Sequence, residues 1–251
     1  MPDKNSAKVY KFFHLASKQM PKKKPLLSVV IPAFNEEHTI GDVINRVKAT
    51  MQKIGFEKEI IVVDDCSRDR SAEISLSQHA KVYSLKKHMG KGYALRVGFI
   101  KAKGEIIVTI DSDGSNRPEE MPLLLMPILQ DQADLVIGSR FLRKKPVSGK
   151  KFNAAGVRIF NLLVKILTGA SVSDSQSGYR IMKSSVLKDL SLNSGGYEIE
   201  SEMLVKIAQR GFRVAEVPVS FEQRTYGRSR LDPIVDGFKI LMSIITAYLK
   251  G

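Results

Sequence analysis

Asp111 and Asp113 stand one residue apart where a greasy run ends, in the stretch VTIDSDGSN from Val108 to Asn116. Like charges this close repel unless a cation sits with them. Three chemistries fit such a pair. A plain turn is the simplest, because Asp, Ser, Gly and Asn are common turn formers. A calcium loop of the EF-hand type needs Gly at its sixth position and Glu at its twelfth. Here Gly114 is fourth and Pro122 is twelfth, so that loop is excluded. The third is a divalent-metal site that handles phosphate. Magnesium is held by one or two carboxylates, with substrate phosphates and waters completing its shell.

The pair needs elements to position it. LLSVVIPAF reads as a buried strand, and HTIGDVINRVKATMQKIG as an amphipathic helix with Ile40, Val43, Ile44 and Val47 on one face and Gly55 as its stop. EIIVVDD is the next strand, and SRDRSAEISLSQHA a helix opened by Ser67 or Asp69. KVYSL, EIIVTID and DLVIGSR read as further strands, GYALRVGFIKAKG as a helix, and PEEMPLLLMPILQ as helical in part, interrupted by Pro122 and Pro127. This alternation predicts an α/β fold with a parallel sheet covered by helices on both faces. Ligands of such sheets sit beyond the carboxyl ends of the strands. The sequence places Asn35, Glu36 and Glu37 after the first strand, Asp64 and Asp65 after the second, Asp111 and Asp113 after the fourth, and Arg140 after the fifth.

Bulk properties narrow the choice. The chain has 251 residues, 43% of them hydrophobic, which suits one α/β domain with an elaborated C-terminal third. Its single cysteine, Cys66, makes no internal disulfide, lacks an evident histidine partner and reads as a small filler; cysteine usage fits a reducing compartment. The four histidines show no metal-ligand spacing. The apolar runs IIVTI and ILMSIITAYL fall short of the roughly 18 residues a membrane span needs, and the N-terminus shows no signal core. A formal net charge of +14 favours anionic partners: phosphates, acidic lipid or nucleic acid. Nucleic acid is disfavoured, since there is no zinc finger or RNP motif, aromatics are 7%, and Trp is absent. A non-enzymatic lipid- or nucleic-acid-binding module also fits poorly, because acidic groups at three strand ends would repel polyanions.

One enzymatic rival shares the local string. Phosphatases of the haloacid dehalogenase type carry D-x-D-G-[TS] after a strand, and IDSDGS fits. That family puts the motif on its first strand, whereas two strand–helix units precede it here. The downstream acidic pair Asp232 and Asp236 begins an apolar helix. The rival is rejected.

The ordered series VVIPAFNEE, IIVVDDCSRD, GKGYALRVGF, IDSDGSNRPEE, VIGSRF, DSQSGYR and EVPVSFEQRTYGRSRL resembles the family 2 glycosyltransferases, and among them the dolichol-phosphate mannosyltransferase-like, polyprenyl-phosphate branch. Each string is weak alone; their order from about Leu27 to Leu231 is specific. The resemblance implies a GT-A, Rossmann-like, mostly parallel sheet with helices on both faces and a C-terminal acceptor-binding elaboration. Its parts would be a basic extension at 1–25, a transferase domain at 26–231 (nucleotide-sugar half 26–140, acceptor half 141–231), and an amphipathic helix at 232–251.

The resemblance also implies roles. Pro32, Phe34 and Glu36 would border the base and ribose, Asp65 would accept hydrogen bonds from the base, and Lys91 would lie near the nucleotide. Asp111 and Asp113 would hold Mg²⁺ or Mn²⁺ on the diphosphate. Arg140 would approach the acceptor phosphate, Asp174 would shape the acceptor side, and Arg224, Ser229 and Arg230 would lie on a loop closing over the phosphates. Related mannosyltransferases read DADLQ, with the glutamine helping to bind metal; Ser115 stands there instead, leaving the third ligand and the donor sugar open. The implied reaction is inverting transfer of a hexose, mannose from GDP-mannose first and glucose from UDP-glucose second, to a dolichyl or polyprenyl phosphate.

Plainer roles compete for each residue. Asp64 reads best as a helix cap, Arg140 could pair with Asp134 on the surface, Asp174 could be a turn residue, and Arg224, Arg228 and Arg230 could be a solvated charge run. The basic leader is either a disordered tail or a membrane contact. FNAAGVRIFNLLVKILTGA and PIVDGFKILMSIITAYLKG read either as core helices or as helices lying in the headgroup plane with cations towards anionic lipid, with or without a membrane subunit. Peripheral association with the cytosolic face of a membrane is the expectation that follows.

Overall fold

The computed structural model describes residues 25–142, 154–188, 190–222, 224, 226–227 and 232–250. The expected alternation is present as β1 (Leu26–Ala33), α1 (Ile40–Ile54), β2 (Glu57–Asp64), α2 (Ser71–Ser77), β3 (Lys81–Ser84), α3 (Lys91–Lys101), β4 (Ile106–Thr109), α4 (Met121–Leu129) and β5 (Leu135–Ser139). A 3₁₀ turn, Pro118–Glu120, leads into α4. Beyond these lie α5 (Ala154–Thr168), β6 (Arg180–Lys183), α6 (Ile199–Gln209), β7 (Val214–Pro218) and α7 (Val235–Lys250).

The strands form one sheet in the order β3-β2-β1-β4-β6-β5-β7. β1 runs parallel to β2 and β4, and β5 parallel to β7. β6 is antiparallel to both β4 and β5. β1 is buried along nearly its whole length, as a central strand covered on both faces must be. One core contains Ile44, Val47 and Met51 of α1 and Leu124 and Ile128 of α4. The other gathers Val164 of α5, Leu204 of α6, and Ile240 and Ile244 of α7 on the opposite face. Helices therefore cover both faces. α1 ends where Gly55 adopts φ 68° and donates its N–H to the carbonyls of Met51 and Gln52, a left-handed stop open to glycine.

The chain leaves β1 for β2 on one side, while β4 pairs on the other side of β1. This reversal opens a crevice at the carboxyl ends of β1 and β4, the ligand position of open α/β sheets. The residues after β1 are Phe34, Asn35 and Glu36; those after β4 include Asp111 and Asp113.

Candidate active site

The two aspartates of the D-x-D motif are held by different partners. Asp113 is buried. Its Oδ1 accepts the Ser115 N–H at 2.9 Å and the Ser115 hydroxyl at 2.6 Å, and its Oδ2 accepts Arg224 Nε at 2.6 Å. Ser115 thus supports the neighbouring carboxylate. Asp111 pairs with Lys91, whose ammonium lies 2.6 Å from Asp111 Oδ1 and 2.8 Å from Glu200 Oε1. Burial opposes the charge on Lys91, but the Asp111 and Glu200 carboxylates outweigh it and hold the lysine above its usual range. Burial likewise pushes Asp111 up, and Lys91, with Arg224 and Arg140 behind it, brings it below the usual carboxylate value.

Close backbone approach makes this cluster possible. A Cβ on Gly178 would come within 2.7 Å of Lys91 Nζ and 3.0 Å of Asp111 Oδ2, so any larger residue there would displace the ion pair. Thr109 ties the end of β4 to the same loop by donating its hydroxyl to the Gly178 carbonyl at 2.7 Å. Lys91 opens α3, and this helix start is seated on the segment before α6. Tyr93 N–H donates to the Gly195 carbonyl at 3.1 Å, and a Cβ on Gly92 would lie 2.6 Å from the Ser194 carbonyl.

At the ends of β1 and β2, Pro32 is buried within β1 opposite Val63, and Phe34 is the first aromatic clear of the strand. Phe34 stacks on His88, with centroids 4.0 Å apart and planes 16° from parallel. Asp65 is buried, and its carboxylate accepts the N–H groups of Met89 and Gly90, each at 2.7 Å. His88 Nδ1 lies 2.8 Å from its Oδ2. Glu36 lies 3.4 Å from Arg224 and accepts the Thr39 hydroxyl at 3.3 Å. Asn35 takes a left-handed φ of 54°, a conformation asparagine tolerates; its Oδ1 accepts the Arg68 N–H at 2.7 Å. Asp64 serves its turn, accepting the Ser67 N–H at 3.3 Å. The following helix runs from Ser71, and Asp69 opens it by accepting the N–H and hydroxyl of Ser71.

On the far side of the crevice Arg140 follows β5. Its Nε and Nη2 each donate to Asp174 at 2.7 Å, a bidentate fork, and its backbone N–H donates to the same carboxylate at 3.0 Å. The surface pairing of Arg140 with Asp134 does not occur. Asp134 bonds to Arg213 and Lys183 at the other end of the strand, while Arg140 turns to the fully buried Asp174. Asp174 is no simple turn residue: its own N–H donates to Glu216 at 3.0 Å, and Ser173 N–H donates to the same side chain at 2.7 Å. Burial, with Asp174 adding to it, raises the Glu216 carboxyl.

Arg180, also fully buried, donates to the carbonyls of Ser177, Glu200 and Ser175, stitching the DSQSG loop to α6. Burial lowers its pKa. Arg224 pairs with Asp113 and Glu36 and so is no solvated charge; Arg228, Ser229 and Arg230 lie outside the described residues.

The structure thus gathers Glu36, Lys91, Asp111, Asp113 and Arg224 in one cluster and sets Arg140–Asp174 beside it. Sequence reasoning missed Glu200, His88 and Glu216. Glu200 lies outside the motif strings, Glu216 opens EVPVSFEQRTYGRSRL but received no role there, and His88 gives no signal beyond standing just before GKG. Among the described residues, no three His, Cys, Asp or Glu side chains gather into an all-protein metal site. An ion held by Asp111 and Asp113 would have to complete its shell from phosphates and water.

The chain is similar to known proteins. A family model described as Glycosyl transferase family 2 matches residues 28–191. The chain belongs to that family. A similar relative is the dolichyl-phosphate hexose transferase of Haloferax volcanii, 31% identical over 226 residues covering 89% of this chain and 94% of the relative. Another is the UDP-N-acetylglucosamine–dolichyl-phosphate N-acetylglucosaminyltransferase of Methanococcus voltae, 31% identical, covering 88% of this chain and 95% of the relative. Among solved structures, glucosyl-3-phosphoglycerate synthase of Mycobacterium tuberculosis, in complex with Mn²⁺, UDP and phosphoglyceric acid, superposes with a TM-score of 0.73 at 22% identity, covering 95% of this chain and 82% of that one. The family 2 glycosyltransferase described here thus has the GT-A fold expected from its sequence.

Proposed function

We propose that this glycosyltransferase moves a hexose from a nucleoside diphosphate sugar onto a polyprenyl or dolichyl phosphate, inverting the anomeric carbon. The observation that carries the reading is the cluster itself. Two carboxylates suited to a metal–diphosphate lie against Lys91 and Arg224, with the Arg140–Asp174 fork beside them. The names of the relatives, both dolichyl-phosphate transferases, support the acceptor class. Mannose from GDP-mannose is the first choice of donor and glucose from UDP-glucose the second.

Asp111 and Asp113 would hold Mg²⁺ or Mn²⁺. When bound, the ion supplies Lewis-acid neutralisation of the leaving diphosphate. The side chains account for the rest. Ser115 fixes the rotamer of Asp113, and Lys91 keeps Asp111 ionised and aimed into the crevice. Arg224 adds a guanidinium where phosphates would lie, and Arg140, oriented by Asp174, adds one on the acceptor side. The acceptor is a phosphate monoester with a second pKa near 6, largely dianionic at neutral pH, so its oxygen attacks without a strong general base. This accounts for a cluster that contains carboxylates, lysine and arginine and needs no histidine base.

Access to a lipid is read from the surface. Among the described residues no helix is long and apolar enough to cross a membrane. Yet α5 exposes Ile159, Leu162 and Ile166 in a stripe beside Arg158 and Lys165, and α7 exposes Val235, Phe238 and Met242. Their opposite faces are core, with Val164 and Ile244 fully buried. The buried faces account for core packing, and the exposed apolar faces beside cations support a second role against an anionic bilayer at the cytosolic side.

The test is a thermal-shift screen of GDP, UDP and their sugars with Mn²⁺, followed by transfer assays with a polyprenyl phosphate. Stabilisation by one nucleotide and transfer from its sugar are expected. No shift with any nucleotide, together with no transfer, would reject the reading.

A further inference from the structure

We infer that His88 is a nucleobase-binding residue of the donor site, its imidazole forming a stacking wall for the base next to Phe34. The inference rests on the donor reading above and extends it to a residue outside the recognisable motifs. One face of the His88 ring is covered by Phe34 at 4.0 Å. The side chain is nevertheless 56% exposed, whereas Asp65, which holds its Nδ1, is 3% exposed. A ring fixed on one edge and one face, with its remaining surface open, is a platform for a second planar group.

Its position is right for a base. Phe34 follows β1 and Asp65 follows β2, while Lys91, three residues beyond His88, touches the D-x-D carboxylate that faces the diphosphate. The ring therefore lies at the ends of β1 and β2, in the turn that leads to Lys91. Asp65 is already occupied: its two oxygens take the Met89 and Gly90 N–H groups as well as His88. It acts as the anchor of the His88–Gly90 turn, and the ring it holds presents π-surface and a free edge nitrogen, Nε2, to the base. Loop-holding alone does not account for the imidazole, because the backbone bonds to Asp65 and the seating of Tyr93 N–H on Gly195 already fix this segment.

The proposal is tested by calorimetric titration of the full chain with UDP, GDP and inorganic diphosphate, each with Mn²⁺, for wild type, His88→Ala and His88→Phe. His88→Ala should weaken the better-bound nucleoside diphosphate about tenfold, the loss expected for one base-stacking contact. It should leave inorganic diphosphate unchanged, and His88→Phe should keep nucleotide binding near wild type. Unchanged nucleotide binding in His88→Ala would overturn the proposal. Equal losses for nucleotides and inorganic diphosphate would also overturn it, because the residue would then only shape the loop. Wild type that binds inorganic diphosphate but neither nucleotide would overturn the donor reading itself, and this proposal with it.

Discussion

Lys91 Nζ lies 2.6 Å from Asp111 Oδ1 and 2.8 Å from Glu200 Oε1, so one ammonium joins the D-x-D motif to α6. Removing it leaves two carboxylates facing each other in a crevice where Glu200 is almost wholly buried. Lys91→Met should therefore destabilise the fold by about 3 kcal/mol, the low end for breaking a buried pair, since part of Asp111 reaches solvent. Denaturant unfolding without ligand measures it. A variant as stable as wild type would show that the pair contributes nothing to the fold.

Asp113→Asn should lower turnover at least about tenfold, equivalent to roughly 1.4 kcal/mol of barrier. Ser115→Ala removes only the hydroxyl that steadies Asp113, and the Ser115 N–H still holds the same oxygen. Its loss should be smaller than that of Asp113→Asn. Steady-state rates in Mn²⁺ check the order, and excess EDTA should abolish transfer in wild type. Full activity in EDTA would remove the metal role from Asp111 and Asp113.

Arg224 reaches Asp113 and Glu36, bridging the ends of β4 and β1. Arg224→Ala should cut turnover with the lipid phosphate while the folded protein keeps most of its nucleotide affinity. A parallel assay of Kd and kcat separates the two. Normal turnover would make Arg224 a structural tie between two carboxylates.

These predictions differ in how much the sequence foretold. β1, β2 and β4 were legible because strands buried on both faces must be continuous apolar runs. β6 was not: it has four residues and opens with Arg180, which is buried because two loop carbonyls and one carbonyl of α6 receive its donors. α6 hides similarly. Glu200, Glu202 and Lys206 are all buried, so the polar positions that normally mark a solvent face do not do so here. β7 carries Glu216 at its centre, employed in holding Ser173 and Asp174. In the site, Asp111 and Asp113 could be read because their spacing is local. The Lys91–Glu200 and Arg140–Asp174 pairs join distant segments, and only the sheet order brings them together.

Away from the site, hydrogen bonds from Arg213, aided by Lys183 against the opposing effect of burial, hold the Asp134 carboxyl far below its ordinary value of 3.8. A depressed carboxylate stabilises the fold above its unfolded pKa, and that contribution is lost as pH falls through the folded one. Asp134→Asn should lower Tm by a few degrees at pH 7. The gap to wild type should shrink once pH drops below about 4. A gap that stays constant down to the acid limit would place the effect in packing, not in charge.

The membrane prediction follows from where apolar surface is left. Eleven of the fourteen large exposed apolar side chains among the described residues fall on Phe141–Leu142, α5 and the Ile234–Leu249 stretch. Phe141 and Leu142 directly follow Arg140, so apolar surface begins where the acceptor phosphate is proposed to sit. With a formal net charge of +14, the protein should float with anionic vesicles better than with neutral ones. The electrostatic part should fade as the Debye length falls from about 10 Å at 0.1 M salt to about 3 Å at 1 M. Apolar insertion should leave a salt-resistant remainder. Replacing Ile159 and Phe238 by Ser should remove that remainder, whereas Arg158→Gln with Lys165→Gln should reduce only the salt-sensitive part. Equal flotation on neutral and anionic vesicles would discard the electrostatic half of the idea, and flotation on neither would assign these faces to a protein partner that delivers the lipid.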